Sequence, residues 1–322
     1  MPNFIVDTLY FVEKNYNYNN IDLLDHYDFD YIKTRYFPYE ITWSKGGGMY
    51  GYSCSLYCNG LRILYNKCDN NNLYFILSGR GCRLLEDLHK LKFNEDFNWY
   101  KYFDRLKGCQ IRRIDLACDV VESFNKSVPY LIRLYESNRV ASRFSNVRYI
   151  QGSEECIYFG SPQSNSMLRI YNKNLERGFK SDELLDQFPY GRTRWEWQFR
   201  DFEAQRCFDR LMLNGIYSTF CYYTNKNVRF LSRSKDFDNV SRIPNCSWYD
   251  KLFSNRHLKY DILSPGSSYN KEKLIRYIQQ CKSSVLTFYK SEKLDPDSLV
   301  DFISKAKIRP DQQLFIDNNT KL

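Results

Sequence analysis

Three short segments constrain the fold of this chain more than anything else in it. They are "RRIDLACD" (112–119), "MLRIYNK" (167–173) and "TRWEWQFRD" (193–201). In each, apolar and polar side chains alternate with a period of two, and alternate residues of a strand point to opposite faces. Ile114, Leu116 and Cys118 therefore share one face, with Arg113, Asp115, Ala117 and Asp119 on the other. Trp195, Trp197 and Phe199 lie opposite Arg194, Glu196, Gln198 and Arg200, and Leu168 and Ile170 lie opposite Arg169, Tyr171 and Lys173. Each segment reads as a strand with an apolar face suited to helix packing and a charged face carrying both signs. The expected class is α+β, a mostly antiparallel central sheet with helices on one face, plus a smaller, mainly helical C-terminal region.

The rest of the chain fits around these strands. Residues 1–40 read as an irregular, tyrosine-rich N-terminal extension. Between about 40 and 80, "MYGYSCSLYC", "LRILYN" and "LYFILSG" are separated by glycine- and asparagine-rich turn signals, which predicts an antiparallel meander. "SGRGCRLLEDLHKLK" predicts a helix starting near Ser78 or Gly79 with Leu84, Leu85, Leu88 and Leu91 inward. Its "GRG" is too short for a phosphate-binding fingerprint and reads as a strand-to-helix turn, with Arg80 and Arg83 placed to face a nucleic acid. "VPYLIRLYESN" and "FEAQRCFDRLMLNG" read as helices, and "ECIYFGS" with "MLRIYNK" as a hairpin across "PQSN". One domain is expected over 41–214 and a second region over 215–322.

Composition narrows the class. Hydrophobic residues make up 43% and aromatic residues 17%, so the chain has the material for a packed core. No apolar run reaches the ~18 residues of a membrane-spanning helix, and the first 20 residues do not read as a secretory signal. A cytoplasmic, bacterial location is the expectation, with no membrane partner. The 11 cysteines are odd in number and scattered, with no CxxC pair, so they read as reduced thiols rather than disulfides or a zinc site. His26, His89 and His257 are isolated, which excludes the usual imidazole metal triads and Ser–His–Asp chemistry as far as spacing can show. The net charge of +9 is unevenly spread: 7 acidic and 3 basic residues in the first 40 positions, but 13 basic and 5 acidic between 225 and 290. A basic C-terminal region interleaved with aromatics suits a phosphate backbone, though a solvated lysine-rich surface has the same composition.

Periodicity leaves two readings of the charged face. One is a set of ordinary cross-strand salt bridges on the wet side of an open sheet. The other needs the three strands to be neighbours, so that Asp115, Asp119 and Glu196 converge. Carboxylates that close raise each other's pKa, and a hard divalent cation such as Mg²⁺ or Mn²⁺ removes the penalty. Arg113, Arg169, Lys173 and Arg194 then offer positive charge to a phosphate. A tyrosine among cations and a metal would have its phenolate stabilised, which lowers its pKa and suits an attacking oxygen.

The ordered set "SGRGCRLLEDL", "RIDLACD", "YFGSPQSNSMLRIYNKNLERG" and "RWEWQFRD", spanning about residues 74–205, resembles the Rep_trans family of replication initiation factors. That family comprises initiators of staphylococcal-type rolling-circle plasmids and the MobT-type relaxases of some conjugative elements. The resemblance implies a metal-dependent enzyme that nicks and rejoins one strand of supercoiled plasmid or element DNA at the double-strand origin. It makes Tyr171 the nucleophile of a 5′-phosphotyrosyl intermediate, Asp115, Asp119 and Glu196 the metal candidates, and Arg169 and Lys173 the phosphate holders. On this basis 41–214 is the nicking-joining domain and 215–322 the origin-recognition region. A homodimer and a host replicative helicase are the further partners it implies. The absence of a helix-turn-helix signal in the first 70 residues favours an initiator over a relaxase, and a DNA-binding regulator without catalysis is the remaining alternative.

Overall fold

A computed structural model of the chain describes residues 3–14, 27–66, 72–120, 126–176, 193–236 and 239–253, with positions 290, 297 and 298 beyond them. The elements in chain order are β1 (Asn3–Glu13), α1 (Tyr27–Arg35), β2 (Ser44–Gly47), β3 (Cys54–Cys58), β4 (Leu61–Tyr65), β5 (Leu73–Leu77), α2 (Gly79–Phe93), α3 (Trp99–Arg105) and β6 (Gln110–Val120). They continue with α4 (Val128–Glu136), β7 (Val140–Ser142), β8 (Val147–Ile150), β9 (Cys156–Phe159), β10 (Ser166–Asn172), α5 (Lys173–Glu176), β11 (Thr193–Arg200), α6 (Asp201–Asn227), β12 (Val228–Phe230) and α7 (Ser247–Phe253).

Ten strands form one sheet in the order β2-β3-β4-β5-β1-β6-β11-β10-β9-β8, and β12 pairs β7 in a second. Every neighbouring pair is antiparallel. The three charged strands are consecutive, β6-β11-β10, as the sequence required for any shared site. Their apolar faces form the core: Ile114, Leu116, Trp195, Trp197, Phe199, Leu168 and Ile170 are buried. Helix α6 closes over them. Thr224 Oγ1 accepts from Trp197 Nε1 at 2.9 Å, and the Tyr223 and Phe199 rings sit 4.4 Å apart.

The expected N-terminal extension proves to be central. β1 pairs β5 on one side and β6 on the other, and buries Val6, Leu9 and Phe11. Its run "NFIVDTLYFVE" is rich in β-branched and aromatic residues, the composition of a half-buried strand. The meander and the helix start are where expected, but Leu91 at the far end of α2 is exposed, because burial on that helix centres on Gly81, Cys82 and Leu85. The "GRG" turn is a close approach: a Cβ on Gly81 would stand 2.4 Å from the Gly60 carbonyl oxygen. Arg83 is engaged within the protein: it donates to the Val6 carbonyl at 2.6 Å and pairs with Glu86 at 2.7 Å.

The boundary expected at 214/215 falls inside α6, at a kink where Gly215 takes φ 74. The chain beyond it returns to the core, with Phe220, Phe230, Tyr249 and Phe253 buried and Trp195 packed 4.9 Å from Phe253. Contacts divide the chain later, into a unit of residues Met1–Arg256 and a second of His257–Leu322. Most of the basic region expected to recognise an origin lies outside the described residues. Seven of the nine described cysteines are buried, and all nine are free thiols. No helix among the described residues is long and apolar enough to cross a membrane.

Candidate active site

The register of the three strands decides which charges meet. Across β10 and β11, Arg169 stands opposite Glu196 and Tyr171 opposite Arg194. Across β11 and β6, Arg194 stands opposite Asp119, Glu196 opposite Ala117, and Gln198 opposite Asp115. Glu196 is therefore diagonal to both aspartates, which are themselves four residues, about 13 Å, apart along one strand.

Each carboxylate is held by a different arginine. Arg113 donates to Asp115 through Nε at 3.0 Å and Nη2 at 2.6 Å. Arg194 makes a two-pronged bond to Asp119 at 2.6 and 2.8 Å, and its remaining Nη1 reaches Asp7 at 2.8 Å. Arg169 donates to both oxygens of Glu196 at 3.0 Å. This face is not the wet surface that alternation suggests: Asp115, Asp119, Arg194 and Glu196 are all buried. Burying ions costs desolvation that only well-formed pairing offsets, which accounts for the one-to-one matching.

The expected cluster of Asp115, Asp119 and Glu196 around one cation does not form. Among the described residues no group of three or more acidic, histidine or cysteine side chains is placed to hold a metal ion. The oxygens that Mg²⁺ or Mn²⁺ would take are turned towards guanidinium groups, so the donor set does not fit such an ion as it stands. Arg194 is likewise unavailable to a phosphate, since two carboxylates close it, and Arg113 is committed to Asp115. Arg169 and Lys173 are the two cations of the expected set that lie at Tyr171.

Tyr171 is 5% exposed and donates its phenolic proton to Glu196 Oε2 at 2.9 Å. The Arg169 guanidinium lies 4.3 Å from the ring centroid, and Lys173 Nζ is 3.4 Å from the phenol oxygen. Burial first, and then the charge of Glu196, push the phenol above its ordinary value, against the pull of Arg169 and Arg194. This reverses the sequence expectation of a lowered pKa. The cations are present, but the nearest charge is a carboxylate, and it accepts the proton rather than expelling it.

One side chain here escaped the sequence reading. A register shift between Val6 and Thr8 bulges β1 at Asp7 and turns its carboxylate towards Arg194. Burial first, then Glu196, raise the Asp7 carboxyl above the usual carboxylate range, so Asp7 and Glu196 feel each other across Arg194. The signal was the one charge inside "FIVDTLYFV" (4–12), whose other members are hydrophobic apart from Thr8.

A buried tyrosine bonded to a carboxylate and flanked by cations lies on the polar face of the antiparallel sheet of an α+β protein. Comparison with known proteins makes this specific. Residues 109–303 match the family model "Replication initiation factor" and residues 27–105 match "Rolling Circle replication initiation protein N-terminal domain". The chain belongs to the Rep_trans family of replication initiation factors. It is 23% identical over 286 residues, 85% of this chain and 80% of the other, to "Putative DNA relaxase NicK" of Bacillus subtilis (strain 168). Its fold is similar to that of a rolling circle replication initiator protein from Geobacillus stearothermophilus, with a TM-score of 0.64 and 22% identity over 79% of this chain and 96% of that one.

Proposed function

We propose that this protein initiates rolling-circle replication by cutting one strand of a supercoiled origin through Tyr171 and later rejoining it. The observation that carries the reading is the 2.9 Å bond from the Tyr171 phenol to Glu196, with Lys173 and Arg169 against the same side chain. The family match supports a DNA substrate, and this geometry supports the pairing of a nucleophile with a base.

Glu196 is poised to take the phenolic proton as the Tyr171 oxygen attacks phosphorus. The bond from phosphorus to the 3′-oxygen breaks, that oxygen takes a proton from water, and a 5′-phosphotyrosyl link and a free 3′-OH result. Rejoining is the reverse, and needs no nucleotide cofactor because the link conserves the phosphodiester energy. Arg169 binds Glu196 through both oxygens; an entering phosphate competes for that guanidinium and frees the base. Lys173 is placed to neutralise charge on the attacking oxygen. A divalent cation has no preformed seat among the described residues, so the steps rest on the chain's own side chains.

Tyr171 is nearly inaccessible, so the scissile phosphate has to descend to the sheet, which an unpaired strand extruded from supercoiled DNA can do. Origin recognition by the basic C-terminal residues, a homodimer and a host helicase complete the proposal. A relaxase acting in conjugation would make the same cut; the match of residues 27–105 to an initiator N-terminal domain favours replication. The test is a nicking assay on supercoiled DNA carrying the element's own origin. Wild type should give a nicked circle and a covalent adduct, and Tyr171→Phe neither; a fully active Tyr171→Phe enzyme would sink the reading.

A further inference from the structure

The polar face of the sheet does not end at the candidate active site. Along β11, Arg200 donates to Gln198 Oε1 at 2.8 Å, and Gln198 Nε2 reaches Asp115 at 3.5 Å. Past these residues the face opens into a cleft of about 860 Å³. Four tyrosines line it: Tyr10 from β1, Tyr74 from β5, and Tyr50 and Tyr52 from the loop between β2 and β3. The rings of Tyr10, Tyr50 and Tyr52 surround Tyr74 at centroid distances of 6.3, 5.9 and 6.0 Å. Arg112, Arg113 and Arg200 also line it, with Lys14 and Asp201, and Arg112 pairs with Asp201 at 3.4 Å on the exposed rim.

Two backbone features build this arrangement. A second register shift between β1 and β6, from Tyr10 to Phe11, leaves Arg112 as an extra residue, so that both Arg112 and Arg113 reach the cleft. Arg113 then stands 5.3 Å from the Tyr10 ring. In the loop, Tyr50 and Gly51 take φ values of 53 and 85, and a tight turn holds the Tyr50 ring out with 67% of its surface exposed. Burial raises the phenols of Tyr10, Tyr52 and Tyr74, the last to about 12, so they present neutral rings.

A cluster of neutral aromatic rings, one exposed and three half-buried along an open cleft, with guanidinium groups beside it suits flat aromatic groups tethered to phosphates. An apolar peptide would gain nothing from the arginines, and a duplex keeps its bases stacked inside. We propose that this cleft binds unpaired nucleotides of the DNA strand being cut, stacking their bases on the tyrosine cluster while Arg112 and Arg200 meet the phosphates. The inference rests on the nicking reading and deepens it. Arg200 lies four residues from Glu196 on β11, about 13 Å along the strand. The cleft thus holds nucleotides beside the scissile phosphate and steers a single strand, rather than a duplex, across Tyr171.

The probe is an oligothymidylate of about 15 nucleotides carrying one 2-aminopurine, chosen because stacking on aromatics is tolerant of sequence. It is titrated against protein carrying Tyr171→Phe, so no chemistry intervenes. The fluorophore should be quenched on binding. The double variant Tyr50→Ala, Tyr74→Leu should bind about tenfold more weakly or worse and lose the quench. Arg112→Glu should lower affinity and reduce the slope of log affinity on log salt by about one. Tyr50→Ala alone, at an exposed turn, guards against misfolding and should already reduce the quench. Unchanged affinity and quench in all three variants would overturn the proposal. A wild type that fails to nick its origin while these binding effects hold sinks the nuclease reading and leaves the cleft standing.

Discussion

The same residue types, tyrosine and arginine, occupy both ends of one sheet face, and they are set up for different work. At one end Tyr171 is buried, its proton held by Glu196 and its ring by Arg169. At the other, Tyr50 stands in solvent and Tyr10, Tyr52 and Tyr74 gather around one another with arginines beside them. Cations are common to both ends and so do not distinguish them. The difference is a carboxylate within hydrogen-bonding distance of the phenol. On the proposed reading, the oxygen loses its proton during attack where the carboxylate is present, and the rings serve to stack bases where it is absent.

The sharpest way to break that comparison is to remove the carboxylate's basicity and keep its shape. Glu196→Gln should slow nicking about 10²–10⁴-fold, the usual worth of a general base. It should leave oligonucleotide binding at the tyrosine cleft unchanged. If nicking falls less than tenfold, Glu196 only orients Arg169 and the phenol finds its base elsewhere. The two ends should differ in stability as well. Arg194→Met takes the shared cation from buried Asp119 and half-buried Asp7 and should cost about 3–5 kcal/mol in urea unfolding. Tyr50→Ala should move the same measurement by less than about 0.5 kcal/mol. Equal losses would mean that the cleft is part of the core rather than an open surface.

How much of this the sequence disclosed follows from how local each cause is. Strand alternation is local, so the three charged strands, their inward faces and the antiparallel sheet were all legible. Register is not local. Nothing in "RRIDLACD" alone says that Asp115 meets Gln198 while Asp119 meets Arg194, and a convergent metal cluster was therefore as readable as three separate arginine clamps. The sign of the Tyr171 shift depended on the same unknown, since it rests on burial and on Glu196 arriving from a strand 25 residues away. β1 was overlooked because its bulge at Asp7 breaks the period that marks a strand; that bulge and the one at Arg112 on the neighbouring β6 aim side chains at the two sites.

Acid titration probes the boundary between the two ends, where Asp115 links Arg113 to Gln198. Burial, its largest influence, pushes the Asp115 carboxyl up to about 6 from 3.8, more than Arg113 pulls it down. The native state then holds this proton more tightly than the unfolded chain does. Its contribution to stability is present below about pH 4 and is lost as pH rises through 6, by roughly 3 kcal/mol at most. The stability of wild type minus that of Asp115→Asn should therefore fall between pH 4 and 6, a subtraction that cancels the similarly raised Asp7. A rise would show that the Arg113 pair outweighs burial.

The smallest expected effect concerns metal. Three carboxylates sealed by three guanidinium groups offer Mg²⁺ no set of oxygens, and any cation seated there would have to displace an arginine from each. Ligand binding to the native state alone stabilises it in proportion to the logarithm of ligand over dissociation constant. Millimolar Mg²⁺ or Mn²⁺ should therefore leave the unfolding midpoint of the DNA-free protein where EDTA leaves it. A stabilisation above about 1 kcal/mol would mean dissociation constants at least about fourfold below the metal concentration. The arginine clamps would then be exchangeable, Asp7 and Glu196 would be free to regroup around an ion, and the contrast between a closed end at Tyr171 and an open end at Tyr74 would have to be redrawn.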